Sequence, residues 1–269
     1  MRLHKDYRIA PHGKVKLNKI SAKATGPYKN QADAQPDTDK NVKKLGELQQ
    51  VFAADGKHAL LIVLQAMDTG GKDGTIRHIF TGVNPQGCDV AQFKVPTPLE
   101  ASHDFLWRIH QKVPERGKIG IFNRSHYEDV LVTRVHKMIG KKECQRRCDD
   151  IVRFEELLAQ NGTVILKFFL HISHAEQTAR LQARLDDPDK RWKLSEGDFR
   201  EREFWDQYQK AYEEAMEATS RSHAPWFIVP SDNKWYRNVV ISKVLVETLE
   251  GMKLAYPKAT VDLQKCSLK

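Results

Sequence analysis

Residues 59–74 read Ala-Leu-Leu-Ile-Val-Leu-Gln-Ala-Met-Asp-Thr-Gly-Gly-Lys-Asp-Gly. The opening run, Ala59–Leu64, is continuous and apolar, the pattern of a strand buried on both faces. A polar, glycine-containing turn follows, and then a helical pattern over about 73–82. Strand, glycine loop and helix in that order are the setting of a phosphate-binding loop. Gly70 and Gly71 let the backbone approach an anion and turn N–H groups toward it. The following helix adds the partial positive charge of its N-terminus, and Lys72 adds a full one. The pattern G-x-x-x-x-G-K-[ST] is met at the Gly-Lys pair but not at its ends, where Ala66 and Asp73 stand. With the loop hydroxyl missing, Asp68 or Asp73 is left to meet a divalent ion beside substrate phosphates. The alternative is a plain polar turn; its place directly after a buried strand favours the phosphate loop.

Similar apolar runs recur at Cys88–Phe93, Ile119–Phe122, Val164–Leu170 and Trp226–Val229. Amphipathic patterns separate them, at about 98–111, 125–138, 143–160, 174–186, 198–220 and 234–254. The alternation predicts an α/β fold: a five-stranded parallel sheet with helices on both faces. Ligands of such sheets bind beyond the carboxyl ends of the strands. Residues 24–40 are polar with two prolines and read as an irregular connection. Asp39 is then the expected N-cap of a helix over about 41–54.

The chain has 269 residues and a formal net charge of +9. Residues 1–44 hold 11 Lys and Arg against 4 Asp, a net of +7. The expected division is therefore a basic N-terminal arm, 1–40, and one domain, 41–269, with a lid at about 180–200. A positive surplus points to an anionic partner: nucleic acid, a membrane surface or a phosphate-rich substrate. No apolar run approaches the ~18–20 residues that span a bilayer. Aromatic residues are not gathered with the cations as nucleic-acid stacking requires. Neither membrane nor nucleic acid is therefore expected as a partner. Four cysteines make no disulfide framework and no metal spacing, which suits reduced thiols and a cytoplasmic setting.

Two further clusters carry charge. Phe122-Asn-Arg-Ser-His-Tyr-Glu-Asp-Val130 puts Arg124 at a strand end and Glu128 and Asp129 on the next helix. Downstream, Arg180 and Arg184 precede Lys190, Arg191 and Lys193, with Trp192 among them as an expected anchor. This reads either as a basic turn after a helix or as a mobile lid that closes over phosphates and excludes water. The stretch 112–147, with 10 Lys and Arg against 4 acids, can supply a basic track, although each of its cations also suits a solvated helix face.

Four segments, MDTGGKDGTIRHIF, GIFNRSHYEDVL, FFLHIS followed by EQ, and DPDKRWKLS, closely resemble the polyphosphate kinase 2 family over about residues 40–255. The resemblance implies a P-loop kinase fold with a helical lid. It also implies reversible phosphoryl transfer between inorganic polyphosphate and a nucleotide. Asn123, where members acting chiefly on nucleoside diphosphates tend to have Asp, is similar to the subclass acting on both AMP and ADP. It implies Mg²⁺, or Mn²⁺ in its place, and a homo-oligomer, dimer or tetramer. Carried onto this chain, the catalytic residues are Asp68, Lys72, Arg124 and Asp129. The metal carboxylates are Asp68, Glu128 and Asp129. The phosphate contacts are Thr69, Gly70, Gly71, Asp73, Gly74, Lys190, Arg191 and Lys193.

A terminal phosphate of AMP or ADP is already an anion, so no base is required of His126. The obstacle is repulsion between polyanions: two unit charges ~4 Å apart interact by about 4 kcal/mol at an effective dielectric of ~20. Catalysis then rests on positioning and charge neutralisation. The rival reading is an ATP-dependent nucleoside or nucleotide kinase of the same fold, which more often keeps Ser or Thr after the lysine.

Overall fold

The computed structural model describes residues 6–261; the first five residues of the expected arm and the last eight of the expected domain lie outside them. In chain order the helices and strands are α1 (Gln31–Asp55), β1 (Ala59–Ala66), α2 (Lys72–Ile79), β2 (Cys88–Gln92), α3 (Pro98–Ala101), α4 (Trp107–His110), β3 (Ile119–Asn123), α5 (Glu128–Val135), α6 (Lys141–Gln160), β4 (Thr163–His171), α7 (His174–Asp186), α8 (Glu196–Glu203), α9 (Trp205–Thr219), β5 (Trp226–Pro230) and α10 (Lys234–Gly251). The strands form one parallel sheet in the order β2-β3-β1-β4-β5, all five at the expected places.

β1 is central and buried along its whole length. Its side chains alternate between two cores, as the two-residue period of a strand requires. Leu61 and Val63 face a core closed by α5, α6 and α9. Leu60, Ile62 and Leu64 face one closed by α1, α2 and α10. The carboxyl ends of β1 and β3 lie side by side, with Leu64 in register with Asn123. The glycine loop and the second motif therefore emerge together.

Three expectations are corrected. Residues 31–40 are not irregular but form the first turns of α1, capped by Asn30, whose Oδ1 accepts from Asp33 N at 3.0 Å. Asp39 is inside the helix and not its cap. Pro36 is tolerated because it lies on the exposed face, where the freed carbonyl meets water. The helices expected at 98–111 and 198–220 are each broken, into α3 with α4 and α8 with α9. The division expected at residue 40 falls inside α1. Residues 7–9 cover the β5 edge, with Ile9 N bonded to Trp226 O at 2.8 Å and Ile228 N to Tyr7 O at 2.9 Å. Val15 N and Leu17 N donate to Glu217 and Glu213 of α9, so the described part of the arm is joined to the body and protects a sheet edge.

A charged cluster lies within the α6–β4 packing. Lys167, in the middle of β4, is fully buried and donates to Glu155 Oε2 at 2.6 Å, Tyr127 Oη at 2.9 Å and Thr219 O at 2.9 Å. Tyr127 Oη and His126 Nε2 meet Glu155 Oε1 at 2.9 and 3.2 Å. His126 is thus wholly buried beneath the second motif. Burial alone would raise the Glu155 carboxyl; Lys167 and His126 outweigh it and hold it below the ordinary range.

Removing one partner of such a pair leaves an uncompensated charge, so Lys167→Met should cost about 3–5 kcal/mol in denaturant unfolding. The double variant Lys167→Met with Glu155→Leu should regain most of it; a double variant no better than the single would overturn this account. Because the Glu155 carboxyl is lowered in the folded state, its contribution is present above the ordinary carboxyl range and is lost as pH falls from that range through the lower folded value.

Candidate active site

The loop after β1 is fixed by its backbone. Gly70 N donates to Met67 O at 2.9 Å. A Cβ at Gly70 would overlap Ala66 Cβ and reach within 2.8 Å of Met67 O, so only glycine fits. Thr69 (φ 62°) and Gly71 (φ 97°) both occupy the left-handed region. Thr69 does so despite its branched Cβ, a strain characteristic of functional sites. α2 begins at Lys72 without a side-chain cap, which leaves its first amides to an anion.

The second motif meets this loop directly. Arg124 also has a left-handed backbone, φ 63°, and its N donates to Leu64 O at 3.2 Å. That aims the guanidinium across the loop: Nη2 lies 3.0 Å from Asp68 Oδ1 and Nη1 3.6 Å from Glu128 Oε2. Lys72 is half-buried beside the same groups; burial and Arg124 push its pKa down, and Asp68, Glu128 and Asp73 push it back. Burial raises the Glu128 carboxyl against the pull of Arg124 and Lys72. The Gln65 amide, turned to satisfy both ends, donates to Glu128 Oε1 at 3.0 Å and accepts from Ser125 N at 3.2 Å. Asn123 Nδ2 donates to Asp73 Oδ1 at 2.6 Å.

Asp68, Lys72, Arg124, Glu128 and Asp73 are therefore brought together. Asp129 is not: its carboxylate turns away toward Arg108, at 3.5 Å, and Arg147, at 3.9 Å. One helical step from Glu128, it faces another side of α5, so of the three carboxylates expected at a metal ion Asp68 and Glu128 lie together and Asp129 lies apart. Nor do the cations of the expected lid converge on Lys72. Lys190 pairs with Asp187, Arg191 donates to Leu185 O at 2.8 Å, and Lys193 lies over the Trp192 ring. Trp192 is 77% exposed and anchors nothing.

Several residues at the site come from outside the loop and the second motif. Tyr212 donates to Ala66 O at 3.1 Å, and Gln177 to Asp68 O at 3.1 Å. Arg202 of α8 donates to Gln177 Oε1 at 2.8 Å. With Tyr208 these close the loop's outer side to a cavity of about 30 Å³. Arg180 of α7 donates to Thr69 O at 3.0 Å, and Arg237 of α10 lies against Gly71. Arg237 carried a signal: it shares the helical stripe of Val240, Ile241 and Val244, where a charge is out of place.

A sequence model of the family Polyphosphate kinase 2 (PPK2) matches residues 28–257. The chain belongs to the polyphosphate kinase 2 family. It is 49% identical over 262 residues to the AMP/ADP-polyphosphate phosphotransferase of Meiothermus ruber, covering 97% of this chain and 98% of that one. To the ADP-polyphosphate phosphotransferase of Rhodopseudomonas palustris it is 43% identical, covering 95% and 93%. The crystal structure of polyphosphate kinase 2 from Arthrobacter aurescens superposes with a TM-score of 0.94 at 42% identity, over 98% of this chain and 94% of that one.

Whether a divalent ion fits can be judged from the donor set. Among the described residues no three His, Cys, Asp or Glu gather as an all-protein centre. Mg²⁺ beside phosphates requires only one or two carboxylates, its other ligands being phosphate oxygens and water. Asp68 and Glu128, on either side of Arg124, meet that requirement.

Lys72→Ala and Asp68→Ala should each lower turnover by at least about 100-fold, as removal of a preorganised charge does; unchanged steady-state kcat in either would remove its role. Asn123→Asp should place a second carboxylate against Asp73, so one of the pair must hold a proton. The acid limb of the pH–rate profile should then move to higher pH, and an unmoved limb would show that the two side chains separate.

Proposed function

We propose that this protein transfers a phosphoryl group reversibly between inorganic polyphosphate and AMP or ADP, with Mg²⁺ or Mn²⁺ bound. The observation that carries the reading is the convergence of Lys72 and Arg124 on a glycine loop whose carboxylates, Asp68 and Glu128, are engaged by Arg124. A hydroxyl acceptor needs its proton removed; a phosphate acceptor does not. The name of the Meiothermus ruber relative, matched along nearly its whole length, supports the same substrates.

In the transfer, a terminal phosphate oxygen of the nucleotide attacks the end phosphorus of polyphosphate. The anhydride P–O bond behind it breaks, and the chain leaves one phosphate shorter. One phosphoanhydride replaces another when ADP accepts, so the step runs either way with concentration. Lys72 and the first amides of α2 hold the transferring group, and Arg124 offers a guanidinium to its developing charge. Asp68 and Glu128 would hold the metal ion, which neutralises donor and acceptor oxygens when bound. AMP uses the same parts, seated one phosphate deeper. Free thiols at Cys88, Cys144 and Cys148 suit the cytoplasm in which we place the enzyme as a homo-oligomer. No helix among the described residues is long and apolar enough to cross a membrane.

Incubated with ADP, Mg²⁺ and long-chain polyphosphate, the protein should form ATP, and with AMP it should form ADP. Chelation of the metal should abolish both. Failure to form ATP, with ADP formed instead from ATP and AMP, would assign an ATP-dependent nucleotide kinase.

A further inference from the structure

Arg237 is 2% exposed and has no carboxylate partner among the described residues. Its Nε and Nη2 donate to Asn238 Oδ1 at 3.2 and 3.0 Å, and its Nη1 is buried with nothing to donate to. The guanidinium lies on the first turn of α2. A Cβ at Gly71 would overlap Nη1, and one at Gly74 would stand 3.9 Å from Nη2. Arg180 comes to the same glycine, its Nη1 3.6 Å from that Cβ position. Two guanidinium groups therefore flank Gly71, and among the described residues Glu176, paired to Arg180 at 2.7 Å, is their one carboxylate partner. Thr69 Oγ1, on the adjoining loop, is also buried without a partner.

A buried, unpaired cation destabilises the fold. Nothing in the sheet requires one here: α10 packs through Val240, Ile241 and Val244. Burial and Arg180 push the Arg237 guanidinium down to about 9. The charges around Lys72 are Arg124, Asp68, Glu128 and Asp73, whereas the charge around Arg237 is Arg180. The loop thus carries two separate cationic centres. Lys234 and the lid's Lys190 extend the second outward.

We propose that Arg237, with Arg180, is a seat for a second phosphate group of a phosphoanhydride chain whose reacting phosphate lies at Lys72. This rests on the transfer reaction proposed above. No aromatic ring among the described residues lies over either guanidinium, so the seat recognises phosphate and not a base. The chain that fits is the polyphosphate donor, and the nucleotide's own phosphates are the other source of the same chemistry.

The test uses the full-length protein, Arg237→Met and Arg237→Lys. Tripolyphosphate should raise the melting temperature of the wild type, and Arg237→Met should lose most of that rise. Without ligand, Arg237→Met should melt no lower than the wild type, because a buried charge has been removed. The KM for polyphosphate should increase at least tenfold with the KM for ADP unchanged, and Arg237→Lys should recover part of it. A rise in the KM for ADP alone would move the seat to the nucleotide and overturn the donor assignment. A lower ligand-free melting temperature with the full tripolyphosphate shift would make Arg237 structural and overturn the proposal. If Arg237→Met does not fold, the arginine side-chain N–H resonance missing from Arg237→Lys identifies Arg237 in the wild type. It should shift with tripolyphosphate and not with adenosine; a resonance that stays in place overturns the proposal. Wild-type protein that binds tripolyphosphate through this resonance yet makes no ATP from it would refute the transfer reaction and leave the seat standing.

Discussion

Arg124 is held at both ends, and the site depends on it. Its backbone N is bonded to Leu64 O at the end of β1, and its guanidinium spans Asp68 and Glu128. A left-handed φ at a non-glycine residue is costly, and here it is overdetermined by the parallel register that places Asn123 beside Leu64. The ion pairs are half-exposed and add little to stability by themselves. Their effect is geometric. They set two carboxylates and a cation at fixed places before any substrate arrives, which lowers the reorganisation needed when charge develops.

Beneath that site the protein spends charge in a different way. Lys167, Glu155 and Tyr127 are bonded to one another, to Thr219 O and to His126 Nε2 within the packed body, and they join β4, α6 and the second motif. His126 and Tyr127 follow Arg124 by two and three residues. The cluster therefore seats the segment that carries Arg124 without touching the loop. Buried ion pairs are poor sources of net stability, but a fully bonded one tolerates few alternative packings. That suits a motif whose register must not slip.

The sheet was legible because its strands are short apolar runs, and burial on both faces needs no other signal. The first turns of α1 were not, because the polar residues and Pro36 that face water look like a loop; only Ala34, Thr38 and Asn41, buried at helical spacing, reveal the helix. That Asp68, Lys72, Arg124 and Glu128 lie together follows from their places on the loop, at the strand end and at the start of the next helix. Asp129 points away from the loop although adjacent acids at a helix start look interchangeable in sequence, because one residue rotates the side chain by ~100° about the axis. Arg180 and Arg237 come from helices distant in sequence, and only the three-dimensional packing of α7 and α10 brings both to Gly71.

The two charged clusters differ in one respect that bears on function. The Glu155–Lys167 pair finds its counter-charge within the chain, whereas Arg180 and Arg237 beside Gly71 are two cations faced by one carboxylate, Glu176. An excess of buried positive charge costs folding energy that an anion would return on binding. A ligand that binds only the folded form stabilises it by RT ln(1 + [L]/Kd), about 2.7 kcal/mol at a hundredfold excess over Kd. The repulsion between Arg180 and Arg237 is thus one side of a linkage whose other side is affinity for phosphate. A loop filled by its own side chains would be more stable and would bind less, because each internal partner would have to be displaced first.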